Sequence, residues 1–245
     1  MTLDHQTREI YLREMGLSPL WKLRNALVPP CGQSMPINEP SPEALPARAE
    51  SAVPSGGLDW DGLQTAVSAC TACGLCRNRK QAVLGVGDRQ PDWLFIGEGP
   101  GAEEDERGEP FVGQAGRLLD AMLASIGLQR GNKVYIANAV KCRPPNNRTP
   151  EPEELAACRP YLARQIELLR PKRIVLLGRT AVNSVLQNDR ALASLRGKRF
   201  TYCDIPVVIT YHPAYLLRNL PDKARAWEDL CFARAPASDN APHDE

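Results

Sequence analysis

The stretch Trp93-Leu94-Phe95-Ile96-Gly97-Glu98-Gly99-Pro100-Gly101 constrains this chain more than any other. Four apolar strand formers run without interruption into a turn crowded with glycine, the pattern of a buried strand that ends abruptly. Glycine lets the backbone turn sharply there and lets a flat group approach it. A phosphate loop is the first thought for Gly-x-Gly after a strand. Ala102 stands where a third glycine is needed, Pro100 interrupts the turn, and Glu98, Glu103, Glu104 and Asp105 would repel a pyrophosphate. So dense an acidic turn suits a cationic or proton-sharing centre instead.

The rest of the chain repeats the strand-then-helix pattern. Leu58, Leu63, Ala66 and Val67 suggest a helix that ends near the Cys70 to Cys76 stretch, and Ala82 to Val86 reads as an edge strand. Gly113 to Leu128 carries Leu118, Leu119, Met122, Leu123 and Ile126 at helical spacing. Val134 to Val140 reads as a strand, Pro152 to Leu169 as a long helix, and Ile174 to Leu177 as a strand followed by a helix through Leu186. Tyr202 to Ile205 and Val207 to Thr210 are expected to be strands, and Lys223 to Phe232 a closing helix. Such alternation predicts a parallel sheet covered by helices on both faces. Sites in such sheets lie beyond the carboxyl ends of the strands. Glu98, Asn138 and His212 stand at three strand ends and should converge.

Before Leu58 the composition differs. Ile10, Tyr11, Met15 and Leu17 suggest a short helix, and Val28 to Gly57 is rich in Pro, Ser, Ala and Glu, a linker composition. Residues 1–57 are therefore expected to be an appendage, either a disordered tail or a tethered peptide that folds onto a partner. The folded domain should span residues 58–235, with a disordered tail over 236–245. That domain carries 25 Lys/Arg against 20 Asp/Glu, a modest net +5 compatible with nucleic acid. No apolar run approaches a membrane span and no signal-peptide pattern opens the chain, so a cytoplasmic protein is expected.

Eight cysteines in a cytoplasmic chain point away from disulfides. Cys70 and Cys73 form a C-x2-C pair that Cys76 extends, and Cys142 and Cys158 lie far along the chain. Two ligands from one turn and two from distant segments suit a zinc ion or an iron–sulfur cluster, with one thiol to spare. Cys203 and Cys231 sit among apolar residues and are expected in the core. His212 follows a strand and precedes Pro213, which can open a helix. Tyr215, Leu216 and Leu217 offer apolar wedges for a base stack beside the phosphate-binding cation Arg218.

Gly97-Glu98-Gly99-Pro100-Gly101, Pro110-Phe111-Val112-Gly113, Asn138-Ala139-Val140-Lys141-Cys142-Arg143-Pro144-Pro145-Asn146-Asn147-Arg148 and His212-Pro213-Ala214-Tyr215-Leu216-Leu217-Arg218 together resemble the family 4 uracil-DNA glycosylases, the iron–sulfur members of their superfamily. The resemblance runs from Leu58 to about Arg234. It implies a three-layer α/β/α sandwich around a short central parallel sheet. It also implies a [4Fe-4S] cluster on Cys70, Cys73, Cys142 and Cys158, with Cys76 the spare, and a cluster that holds loops rather than cycling electrons.

The activity the resemblance implies is monofunctional excision of uracil from single- or double-stranded DNA, leaving an abasic site in base excision repair. Uracil must first be flipped out of the stack. Phe111 then stacks on the base against the turn at Gly99. Asn138 pairs with its O4 and N3–H, and His212 donates to O2 as the anion forms. A better-studied branch has an aspartate where this chain has Gly99, so Glu98, Glu104 and Asn147 are the candidates to position water, and Glu104 is also a candidate to block the methyl group of thymine. A monomer acting on nucleoid DNA is expected, with residues 1–57 available to a replication or repair protein. Two relatives in kind remain. A covalent DNA binder would need a histidine in a basic insertion after the Asn138 strand, and Lys141 to Thr149 is short and has none. A non-catalytic, polymerase-associated module would not need the Asn138–His212 pair.

Overall fold

The apolar runs of the sequence become the middle of one six-stranded sheet. The computed structural model describes residues 57–235. The helix expected around Ile10 to Leu17, the linker preceding residue 57 and the tail over 236–245 lie outside them. The strands are β1 (Val86–Gly87), β2 (Trp93–Gly97), β3 (Val134–Asn138), β4 (Arg173–Leu177), β5 (Phe200–Tyr202) and β6 (Ile205–Thr210), in the order β1-β3-β2-β4-β6-β5. The inner four are parallel, and the two edge strands run antiparallel to their neighbours. Every residue of β2 and β3 is buried, as expected for strands covered on both faces.

Alternate side chains go to opposite faces. Trp93, Phe95, Val134, Ile136, Val175, Leu177 and Val208 form one face. Leu119, Met122 and Leu123 of α3 (Gln114–Ser125) and Ala226, Leu230 and Ala233 of α8 (Asp222–Arg234) pack with them. Leu94, Ile96, Tyr135, Ala137, Ile174, Leu176, Val207 and Ile209 form the other. That face is covered by Leu162, Ile166 and Leu169 of α4 (Pro152–Leu169) and by Ala181, Val182 and Val185 of α5 (Arg179–Leu186). The three-layer α/β/α sandwich follows directly. Burying each large apolar side chain contributes about 1.5–3 kcal/mol, so these two faces dominate the stability of the domain. The remaining helices are α1 (Trp60–Ser68), α2 (Ala102–Arg107), α6 (Leu192–Leu195) and α7 (Pro213–Arg218).

Three local expectations need correction. Tyr202 to Ile205 is not one strand: Cys203 and Asp204 take positive φ of 47° and 63° and make the two-residue turn of the β5–β6 hairpin. Cys203 therefore sits exposed at a hairpin tip rather than in the core, and Cys231 is exposed on the outer side of α8. The edge strand over Ala82 to Val86 contracts to Val86–Gly87. Gly87, at φ 133°, lies so close to β3 that a Cβ there would fall 2.2 Å from the Val134 carbonyl oxygen.

Candidate active site and cysteine cavity

Parallel register brings the first two strand ends together. Gly97 pairs with Asn138. The N–H groups of Ala139 and Val140 donate to the carbonyls of Gly97 and Glu98, so the two chains leave the sheet side by side. His212 leaves β6 on the other side of β4. Gly178, following β4 at φ 86°, passes so close that a Cβ on it would lie 3.0 Å from the His212 Cβ. Phe111 completes the group. Its ring lies 5.5 Å from that of His212. A Cβ on Gly97 would fall 2.4 Å from the Phe111 ring and 2.6 Å from Asn138 Oδ1, so the absent side chain of Gly97 is the space in which the two meet.

Asn138 and His212 are both polar groups prepared for a ligand. Asn138 is 2% exposed, and its Oδ1 is buried without a hydrogen-bond partner. Leaving such an acceptor dry costs about 1–3 kcal/mol, which an incoming N–H would relieve. His212 is the N-cap of α7, and its Nδ1 accepts the Ala214 N–H at 3.2 Å. That bond fixes the tautomer: the ring proton is on Nε2, which is left as a donor. Burial, and then the nearby Arg218, push the imidazole down to about 4 against a smaller opposite pull from Glu104, so it is neutral at physiological pH.

The three acids and amides expected to position water have different surroundings. Both oxygens of Glu104 are engaged: Oε1 accepts the N–H groups of Val112 and Gly113 at 2.9 and 3.0 Å, and Oε2 accepts that of Gly101 at 3.0 Å. Asn147 is exposed on a short 3₁₀ turn with its Oδ1 on Arg143. Glu98 stands at the end of β2, where one oxygen accepts the Thr180 hydroxyl at 2.5 Å and the other has no partner among the described residues. Gly99 packs against the β3 exit: a Cβ on it would lie 2.8 Å from Val140 Cγ2, so Val140 fills the place an aspartate side chain would need.

Two of the carboxylates that suggested a cationic or proton-sharing centre, Glu104 and Asp105, serve the backbone instead. Asp105, 3% exposed, accepts the backbone N–H groups of Lys80 and Gln81. Like Glu104, it ties chain segments together, and Glu106 pairs with Lys80. Sequence reasoning missed Thr180 as the partner of Glu98. A hydroxyl two residues beyond the Gly178 strand end was the available signal.

The helix after His212 also sorts differently from expectation. Leu216 is 1% exposed and packs in the core, so it is no wedge. Pro213 and Leu216 lie three apart on the inner face of α7, and the next residue turns outward. Leu217 and Leu220, 40% and 60% exposed, are apolar side chains available on this surface. Tyr215 stacks on Tyr211 with centroids 5.1 Å apart and donates its hydroxyl to Asp222 at 2.7 Å. Arg218 is exposed beside them.

On the far side of the Asn138 strand end, Cys70, Cys73, Cys142 and Cys158 line one small cavity together with Val67, Lys141 and Tyr161. Cys76 does not line it and faces a separate surface groove. Among the described residues no three His, Cys, Asp or Glu side chains converge as ligands of a single ion would. Four thiols spread around a cavity fit a cluster, in which each thiolate meets its own iron, better than zinc, whose four ligands meet at one point. Donors already face these sulfurs: Arg79 Nη1 lies 2.9 Å from Cys142 Sγ, and the Lys141 N–H lies 3.3 Å from Cys158 Sγ. Lys141 itself is 1% exposed, and its Nζ donates to the Asn138 carbonyl at 2.9 Å and to Gln165 Oε1 at 2.7 Å. One buried side chain thus joins the cysteine loop to the Asn138 strand end.

A sequence model of the Uracil DNA glycosylase superfamily matches residues 84–231. The Type-4 uracil-DNA glycosylase of Thermotoga maritima is 48% identical over 161 residues, covering 65% of this chain and 83% of that protein. The Type-4 enzyme of Pyrobaculum aerophilum is 41% identical over 183 residues, 71% of this chain and 93% of that protein. That of Archaeoglobus fulgidus is 43% identical over 165 residues, 64% and 82% respectively.

Proposed function

The chain belongs to the Uracil DNA glycosylase superfamily, and from that premise we infer that it is a uracil-DNA glycosylase whose base pocket lies between Phe111, Asn138 and His212. The observation that carries this reading is the unpaired, buried Oδ1 of Asn138 beside an aromatic ring and a neutral imidazole donor. A uracil flipped out of DNA offers the complementary groups. Its N3–H meets Oδ1 of Asn138 and its O4 accepts from Nδ2, while its face lies on the Phe111 ring. Cytosine has a bare N3 and an amino group at those places, which sets acceptor against acceptor and donor against donor.

Cleavage of the C1′–N1 bond leaves its electron pair on the base as a uracil anion and makes C1′ cationic. His212 Nε2–H stabilises the anion at O2, where charge develops. Glu98 faces the cationic sugar and orients the attacking water through its unpaired oxygen, with Thr180 holding the carboxylate still. Glu104 holds the Phe111 loop rather than the water. Leu217 and Leu220, with Arg218 for phosphate, occupy the gap in the base stack.

Cys70, Cys73, Cys142 and Cys158 would hold a [4Fe-4S] cluster, which when bound supplies a cross-link between the α1 loop, the β3 exit and α4. Lys141 passes that anchorage on to Asn138. The test of the function is incubation with single- and double-stranded oligonucleotides carrying one uracil, followed by alkali. Strand breaks only after alkali are expected. A protein–DNA adduct that survives denaturation, or intact DNA, would refute the reading.

A further inference from the structure

Phe111 is a strained residue. It is 6% exposed and its φ is 56°, in the left-handed region that bulky side chains avoid. Such a conformation persists only where the surroundings enforce it, and strain of this kind gathers at functional sites. Two groups enforce it here. From one side Glu104 accepts the next two N–H groups, those of Val112 and Gly113. From the other, Arg130 donates Nη1 to the Pro110 carbonyl at 3.0 Å and Nη2 to the Phe111 carbonyl at 2.9 Å. Asp120 of α3 aims the guanidinium, accepting Nε at 3.0 Å and Nη2 at 2.8 Å. The fit is close as well as polar: a Cβ on Gly116 would lie 1.8 Å from the Phe111 carbonyl oxygen, so the first turns of α3 press on the same peptide.

We propose that Arg130 is a positioning residue for base excision, acting through Phe111 by clamping its strained peptide so that the ring stays where uracil must stack. This rests on the reading of Phe111 as the stacking platform. Arg130 lies in the turn after α3, nineteen residues from the ring it controls. Its fork geometry is what the task needs, since one planar group spans two successive carbonyls while accepting direction from a carboxylate. Without the clamp, the 110–112 peptide is released to relax from the left-handed region, and the ring leaves its place beside His212 and Asn138.

The test is single-turnover excision of uracil from a single-stranded oligonucleotide at saturating enzyme, using Arg130→Met, Phe111→Ala and the double variant. Misplacing a platform by about 1 Å costs on the order of 100-fold in rate, and Arg130→Met should lose about that much. Arg130→Lys, which can reach one carbonyl, should recover part of it. Adding Arg130→Met to Phe111→Ala should cost no further rate. Binding to a uracil-free oligonucleotide should be unchanged. Should Arg130→Met fail to fold, Asp120→Asn, which loosens the same guanidinium, should slow wild-type Phe111 enzyme but not the Phe111→Ala enzyme. An Arg130→Met enzyme at wild-type rate beside a slow Phe111→Ala enzyme would overturn the clamp alone, as would losses that multiply in the double variant. A Phe111→Ala enzyme at full rate would overturn the stacking platform itself, and the clamp with it.

Discussion

His212 is held in one tautomer by one hydrogen bond and kept neutral chiefly by burial, and that makes its behaviour with pH specific. An ordinary histidine titrates near 6.5, whereas this one is pushed down to about 4. Protonation would place a hydrogen on Nδ1 against the Ala214 N–H, so acid should cost the α7 cap as well as the neutral state. The single-turnover rate should stay level from neutral pH to about pH 5 and fall as pH approaches 4; a midpoint near 6.5 would show the imidazole to be unperturbed. Stability follows the same sign. The unfolded chain takes up the proton first, so the contribution of the neutral ring is whole above about 6.5 and is lost as pH falls from there toward 4. Urea titrations of wild type and His212→Asn across that window should converge toward the acid end. Removing the donor with His212→Ala should slow excision by roughly 100- to 1000-fold, with little change in affinity for uracil-free DNA, which phosphate contacts dominate. Asn138→Asp should weaken selection of uracil over cytosine, read as the ratio of excision rates on paired substrates.

At the scale of elements, α7 divides two adjacent leucines between two jobs. Leu216→Ala should destabilise the domain by about 2–5 kcal/mol, the cost of a core cavity. Leu217→Ala should leave the melting temperature nearly unchanged and slow excision from duplex more than from single strands, where no stack needs to be opened. Equal effects of the two would mean that the helix is rotated on DNA. The sequence could not separate them, because the orientation of a six-residue helix is decided by what packs beneath it. Where the signal was local, the reading was good: the uninterrupted Trp93 to Ile96 run became β2, and Pro152 to Leu169 became α4 at both bounds. The ends of β2, β3 and β6 converge as their positions in a parallel sheet required. What depended on tertiary contact was hidden. Nothing in Cys203-Asp204 announces a turn with two positive φ values, and nothing in Pro-Phe-Val-Gly announces a strained phenylalanine held by an arginine beyond the next helix. The acidic turn misled in part, because Glu104 and Asp105 serve backbone N–H groups that only the fold brings near.

For the whole molecule, the cysteine cavity and the sheet edges set the limits. If the four cavity thiols hold a cluster, anaerobically prepared protein should be brown, Cys142→Ala should lose its iron and be less stable, and Cys76→Ala should keep its iron. Iron retained by Cys70→Ala but lost from Cys76→Ala would reassign the ligands. The sheet, both helical layers, the cavity and the base pocket all fall within residues 57–235, so a chain lacking residues 1–56 should excise uracil from short oligonucleotides at close to the full rate; an inactive truncation would give the N-terminal segment a part in the fold. Among the described residues no helix is long and apolar enough to cross a membrane. The sheet ends in β1 and β5, strands of two and three residues running against their neighbours. An open parallel edge would be a template on which other copies could add strands at high local concentration. Among the described residues the template is at most three residues long, so copies crowded along one stretch of DNA find almost no sheet edge on which to add a strand.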